Sequence, residues 1–279
     1  MPTSPSPRPG ARGKAPAAPP APPASIWPRL AVIGALAIAA VIVCVLPASM
    51  VRRFLPAEVH AEDFSGSVWH GSAGRLTAAG RAAGAVEWQV HPLALLRLHL
   101  LTDLHWVKGG FVLDGAADVS RGRVVASNLS GGGPLADLRD LGLQAGWQGV
   151  ADVRIRELSA EIAPTGAALK SAIGDITVSD VSAREIAGGA PLGGYLLTFH
   201  DAGGAPGDAL AARLTDTGGP LAVDATISID MKARRGILSG TLKDRADAPP
   251  ALRAQLDDLA RFRARDSQGR VPVDLEFTF

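Results

Sequence analysis

From residue 58 onward, apolar and polar side chains alternate with a period of two. In the clearest stretch Leu221, Val223, Ala225, Ile227, Ile229 and Met231 alternate with Ala222, Asp224, Thr226, Ser228, Asp230 and Lys232. One face is greasy and the other largely polar, as a strand buried on one side requires. Val271, Val273, Leu275, Phe277 and Phe279 alternate likewise with Pro272, Asp274, Glu276 and Thr278, and a proline there points to a strand start or a sheet edge. Weaker alternation marks Val86, Trp88 and Val90, residues 98–106, 111–119 and 151–155, and Tyr195, Leu197 and Phe199. The joins carry Lys108-Gly109-Gly110, Arg121-Gly122-Arg123 and Arg235-Gly236, suited to tight hairpins in which glycine takes positive φ. Helical spacing is confined to residues 134–141, with Leu135, Leu138 and Leu141, and 249–263, with Leu252, Leu256 and Leu259, each placed to plug an open end or face. The expected domain, 58–279, is mainly β: a long antiparallel meander forming a curved sheet with one or two short helices.

Ahead of it the texture changes twice. Residues 1–28 are dominated by Pro and Ala with a few basic residues, a mixture that cannot bury enough apolar surface to offset chain entropy, so a disordered tail is expected. Residues 30–46, LAVIGALAIAAVIVCVL, carry no charge. A crossing helix needs about 20 residues, and Ile26, Trp27 and residues 47–51 extend the run, so a single transmembrane α-helix is expected over 29–51. A cleaved signal peptide is disfavoured: its apolar core is usually about 7–15 residues, Met50 and Val51 spoil a cleavage register after Pro47, and Arg52 and Arg53 form a stop flank. Arg8, Arg12, Lys14 and Arg29 precede the run and only Arg52 and Arg53 follow it closely. That bias puts the N-terminus in the cytoplasm and, in a bacterium, the β domain in the periplasm.

Composition narrows the function. With 47% hydrophobic residues in 279, the chain is not disordered throughout. Its 28 basic and 27 acidic residues nearly cancel, so no long-range field draws in a nucleic acid. The lone Cys44 can form neither an internal disulfide nor a thiolate zinc site. No P-loop string, Ser-x-x-Lys or His-Glu-x-x-His is present. His70-Gly71-Ser72-Ala73-Gly74 departs from a nucleophile elbow at its first position and lies among strand and turn signals. His99, Asp103 and His105 could share a strand face near a metal, but side chains alternating with Leu98, Leu100, Leu104 and Trp106 simply face away from the core. Asp257 and Asp258 read as the solvated face of a helix, and Trp69, Trp88, Trp106 and Trp147 as core packing. No catalytic, cofactor-binding or metal residue is assigned, and no cofactor is expected.

Several strings do resemble a known family. Asp63-Phe64-Ser65-Gly66-Ser67-Val68-Trp69-His70-Gly71-Ser72-Ala73 resembles the Gly-Thr-Val/Leu-Trp-x-Gly-x-Ala signature of type II secretion system protein N, with Ser67 where Thr is common. Residues 86–96, with Trp88 and Pro92, are similar to that family's Val-x-Trp-x-Leu-x-Pro-x-x-Leu-Leu element. Gly193, Gly194 and Tyr195, and later Asp216, Gly219 and Leu221, are similar to its Leu-Gly-x-Tyr and Asp-x-x-Gly-x-Leu segments. The resemblance implies a non-enzymatic accessory protein of the Gram-negative inner-membrane platform that exports folded proteins from the periplasm, meeting other platform proteins, the pseudopilus or the secretin. It marks Gly66, Val68, Trp69, Gly71, Trp88, Pro92, Gly194, Tyr195, Asp216 and Gly219 as motif residues. Their physical reading is structural: Gly66 and Gly71 end a strand and allow a tight turn while a Trp anchors the sheet. An alternative function is a membrane-anchored groove whose apolar concave face shields lipid chains.

Overall fold

A computed structural model describes residues 45–55, 59–141, 143, 146–163, 166–200, 209–230 and 235–278. The expected tail, and the expected span up to residue 44, lie outside them. The strands are β1 (Val59–Gly66), β2 (His70–Ala78), β3 (Arg81–Val90), β4 (Leu100–Lys108), β5 (Phe111–Ser120), β6 (Arg123–Pro134), β7 (Trp147–Ala163), β8 (Gly166–Ala183), β9 (Ile186–Phe199), β10 (Ala209–Gly218), β11 (Leu221–Asp230), β12 (Arg235–Asp244) and β13 (Val271–Thr278). One α-helix, α1 (Pro250–Phe262), lies between the last two strands, and 3-10 helices cover Ala48–Phe54, Pro92–Arg97 and Leu135–Leu141. Every strand pairs antiparallel with its successor, giving a single 13-stranded sheet in chain order that begins at β1 and ends at β13.

The registers align the alternation of all the strands. Following direct cross-strand partners from β1 to β13 gives Phe64, Ala73, Val86, Trp106, Leu113, Gly131, Val153, Ile176, Leu197, Leu214, Ala225, Gly240 and Val273. Each is apolar or glycine, and none is exposed. One position along, the partners are Ser65, Ser72, Glu87, His105, Asp114, Ser130, Arg154, Asp175, Thr198, Arg213, Thr226, Ser239 and Asp274. Each of these is polar, and none is buried. Opposed residues share a face and adjacent ones do not, so the two rows define an apolar and a polar side across the whole sheet.

Short helices cover the apolar side in three places. Ala48 packs with Ala61, Ala73 and Trp88 on β1–β3. Leu135 and Leu138 join Phe111, Ala151 and Val153. Leu252 and Leu256 of α1 pack among Val181, Leu192, Leu221, Val223 and Ala225. Polar ties hold the two later lids down. The Gly110 amide donates to Asp137 (2.7 Å), and the buried Lys108 donates to Asp140 (3.1 Å) and to the Ala82 carbonyl (2.6 Å). Gln255 of α1 accepts from the Ala187 amide at 3.0 Å. Cα atoms of β8 and β10, and of β9 and β11, approach within 8 Å. Two strand spacings in a flat sheet are about 9.6 Å, so the sheet curls beneath α1.

Several details differ from the sequence reading. Residues 134–141 have the expected leucine face but wind as a 3-10 helix, because seven residues are too few for α-helical hydrogen bonding to repay nucleation. Gly236 lies within β12, opposite Ile229, and not at a join. Ala48–Phe54, partly counted in the expected span, packs on β1 and β2. The longest strands, β7 with 17 residues and β8 with 18, extend well beyond the alternation at 151–155. Phase governs stability here. Ala225→Asp, at a site 4% exposed, buries an unpaired carboxylate and is expected to cost about 3 kcal/mol or more. Thr226→Asp, one position along and facing Arg213, is expected to stay within about 0.5 kcal/mol; urea unfolding followed by tryptophan fluorescence compares them.

Candidate functional site

The motif residues gather into two separate clasps. At the first, Ser67 and His70 close the β1–β2 turn: the Ser67 amide donates to the His70 carbonyl (2.9 Å), and the His70 amide donates to Ser67 Oγ (3.1 Å). Trp88, 8% exposed, lies under this turn, donates from Nε1 to the Val68 carbonyl (3.0 Å) and meets Phe64 edge-on at 6.4 Å. Gly71 makes this contact possible, since a Cβ there would sit 2.8 Å from Trp88 Cζ2 and 2.5 Å from the Ser67 carbonyl. The Trp69 carbonyl accepts from the Val90 amide at 2.7 Å, and Pro92 then opens the 3-10 helix that leads to β4.

The second clasp joins β9, β10 and the end of β12. Gly194 opposes Gly218, and Tyr195 opposes Asp216. The backbones nearly touch here: a Cβ on Gly219 would fall 2.4 Å from Gly193 Cα, a separation that only glycine permits. Asp216 is largely buried and receives Arg245 Nη2 at 2.6 Å and the Val223 amide at 3.3 Å, while Arg245 Nη1 donates to the Gly219 carbonyl at 2.8 Å. The Tyr195 hydroxyl donates to the Leu192 carbonyl at 3.0 Å. Burial, reinforced by the Asp216 charge and opposed by Arg245, pushes the tyrosine up to about 12. The sequence reading missed Arg245, which pairs across 29 residues and carries no local signal.

The polar face does not assemble the chemistry weighed above. His99, Asp103 and His105 do not converge: His99 pairs with Asp118 (3.0 Å), Asp103 with His91 (2.7 Å) and His105 with Asp114. The hydrogen bond that His105 Nδ1 donates to the Asp114 carboxylate raises the imidazole pKa above its ordinary value. Among the described residues no group of three His, Cys, Asp or Glu side chains could hold a metal ion. Ser72 lies within β2 opposite Glu87, whereas an elbow serine needs a strand-to-helix turn. Asp257 pairs with Arg265 (2.7 Å) and Asp258 with Arg261 (3.3 Å) on an exposed face of the helix.

The profile of the type II secretion system (T2SS) protein N family matches residues 57–274, a stretch that takes in both clasps and nearly the whole sheet. The chain belongs to this family. No curated protein and no solved structure matches the chain. The family is a secretion accessory component and not a known enzyme family, in keeping with motif residues whose side chains are spent on holding strands together.

The chain has a single tyrosine, so its ionisation can be followed alone by tyrosinate absorbance. The expected midpoint in the folded protein is about 12, against about 10 for a free tyrosine. The associated stability is complete below about pH 10 and lost as the pH rises through the folded value, because the unfolded chain ionises first. In Asp216→Asn the midpoint should fall yet remain above the ordinary value, since burial is the larger cause; titration at the ordinary value in the native protein would contradict the packing described.

Proposed function

We propose that the protein is an accessory inner-membrane component of a type II secretion system, contributing to export of folded proteins across the outer membrane by docking other components through its periplasmic sheet. In this reading residues 30–46 anchor the chain, with the N-terminus in the cytoplasm as the basic bias favours. Among the described residues no helix is long and apolar enough to cross a membrane; the apolar run lies outside them except for Val45 and Leu46. The observation that carries the docking reading is that, among the described residues, the meander leaves strands β1 and β13 each paired on one side only.

The two edges differ. β1 is kinked at Asp63, with φ 57, and its Glu62 and Asp63 pair with Arg75 at 3.0 and 3.5 Å. On β13 the first half is guarded: Pro272 has no amide proton, and Arg263 donates to the Asp274 carboxylate (2.8 Å) and carbonyl (3.4 Å). Beyond Asp274, Glu276 meets Arg235 of the already paired strand β12 at 3.5 Å, and Leu275 is 57% exposed. Residues 275–278 therefore offer the better place for a partner strand to add to the sheet.

A second reading, shielding of acyl chains, is favoured by a strip of the apolar face away from the lids. Leu129, Phe199 and Ile227 are half-buried and belong to none of the three covered clusters. Lipid retained after native extraction would support it. The docking proposal is tested by a photo-crosslinker at Leu275 in secreting cells, with a clean deletion in parallel. Capture of platform, pseudopilus or secretin proteins and a secretion defect are expected; normal export in the deletion strain would overturn the proposal.

A further inference from the structure

We propose that the leucine loop joining β3 to β4 dips into the bilayer interface, giving the domain a membrane contact of its own. The inference rests on the reading that residues 30–46 lie in the membrane. Leu93, Leu96 and Leu98 are 79%, 83% and 76% exposed, and Leu95 is 38% exposed. The 3-10 helix Pro92–Arg97 that carries three of them buries no residue. Leu98 closes that helix in the left-handed region, with φ 59 and its amide donating to the Leu95 carbonyl at 2.9 Å. Glycine suits that backbone better.

Hydrogen bonding places this loop beside the point where the apolar run ends. The Leu46 carbonyl accepts from the Val68 amide at 2.9 Å, Pro47 bridges to Ser67, and the Trp69 carbonyl accepts from the Val90 amide, one residue before His91 starts the loop. The end of the run, the β1–β2 turn and the leucine loop thus share one end of the sheet. If the run lies in a bilayer, that end faces the headgroups, and the exposed leucines have apolar surroundings within reach.

Charge favours lipid over a protein occupant. Residues 91–99 contain no acid and include Arg97, and the exposed Arg52 and Arg53 follow the run on the neighbouring 3-10 helix. The nearest carboxylates, Asp103 and Asp118, are engaged by His91 and His99 at the loop's two ends. A leucine patch flanked by arginines and free of unpaired acids matches a membrane interface, where the leucines meet acyl chains and the guanidinium groups stay at headgroup level.

The test uses the full chain carrying Cys44→Ala, reconstituted in phosphatidylethanolamine–phosphatidylglycerol vesicles doped with nitroxide-labelled acyl lipids. An environment-sensitive fluorophore is attached in turn at Leu96→Cys in the loop, Ile38→Cys in the run, and Arg81→Cys at the opposite end of the sheet. The expected result is a blue shift and loss of most emission at positions 96 and 38, with position 81 unchanged. Quenching at 38 without quenching at 96 overturns this inference while the anchor reading stands. Absence of quenching at both overturns both readings. If pyrene at position 96 gives excimer emission that vanishes on dilution in lipid, a second copy covers the patch and the lipid assignment is overturned.

Discussion

The constraint on which the domain depends is phase: thirteen strands must pair so that every alternating pattern falls on the same side. A slip of one residue at any pairing would turn the rest of the sheet over, moving its apolar row into water. The strands are not uniform. Register shifts interrupt the pairing of β2 with β3, β5 with β6, β7 with β8, β8 with β9 and β9 with β10. Still, the row from Phe64 to Val273 stays unbroken, so the bulges bend the sheet without inverting it. The lids follow from the same constraint. A one-sided apolar sheet needs cover, and the 3-10 helices Ala48–Phe54 and Leu135–Leu141 together with α1 supply it segment by segment.

How much could be read from the residues depended on the contrast between faces. β11 and β13 declared themselves because Val, Leu and Ile stand against Asp, Thr and Glu, and their observed bounds, Leu221–Asp230 and Val271–Thr278, sit close to the expected ones. β6 and β8 did not. The apolar side of β6 is carried by small residues such as Ala126 and Gly131 and its polar side by Ser127 and Ser130, so hydropathy barely oscillates there; in β8 the alternation of Ile176 and Val178 with Asp175, Thr177 and Ser179 covers few of its 18 residues and shifts register beyond Val178. The leucine spacing of residues 134–141 located a lid correctly but could not choose its winding. Arg245 and the contact between Gly71 and Trp88 were invisible because they depend on strand pairing across 29 and 17 residues.

The motif residues and the surfaces available to partners occupy different places. Trp88 under the β1–β2 turn and Asp216 with Arg245 at the curl are joints of the sheet, holding its strands to one another. The surfaces proposed for contacts lie elsewhere: the later half of β13 for a partner strand, the half-buried strip by Phe199 for acyl chains and the leucine loop for the membrane interface.

The continuity of the two rows is tested most directly by single-cysteine accessibility in the full chain carrying Cys44→Ala. Cysteines placed at Arg154, Asp175, Thr198 and Arg213 should react rapidly with a polar maleimide, and those at Val153, Ile176, Leu197 and Leu214 slowly, with the same sense in all four strands. Fast reaction at the apolar position of one strand, with slow reaction at its polar neighbour, would show that the phase breaks there and would contradict a single two-faced sheet.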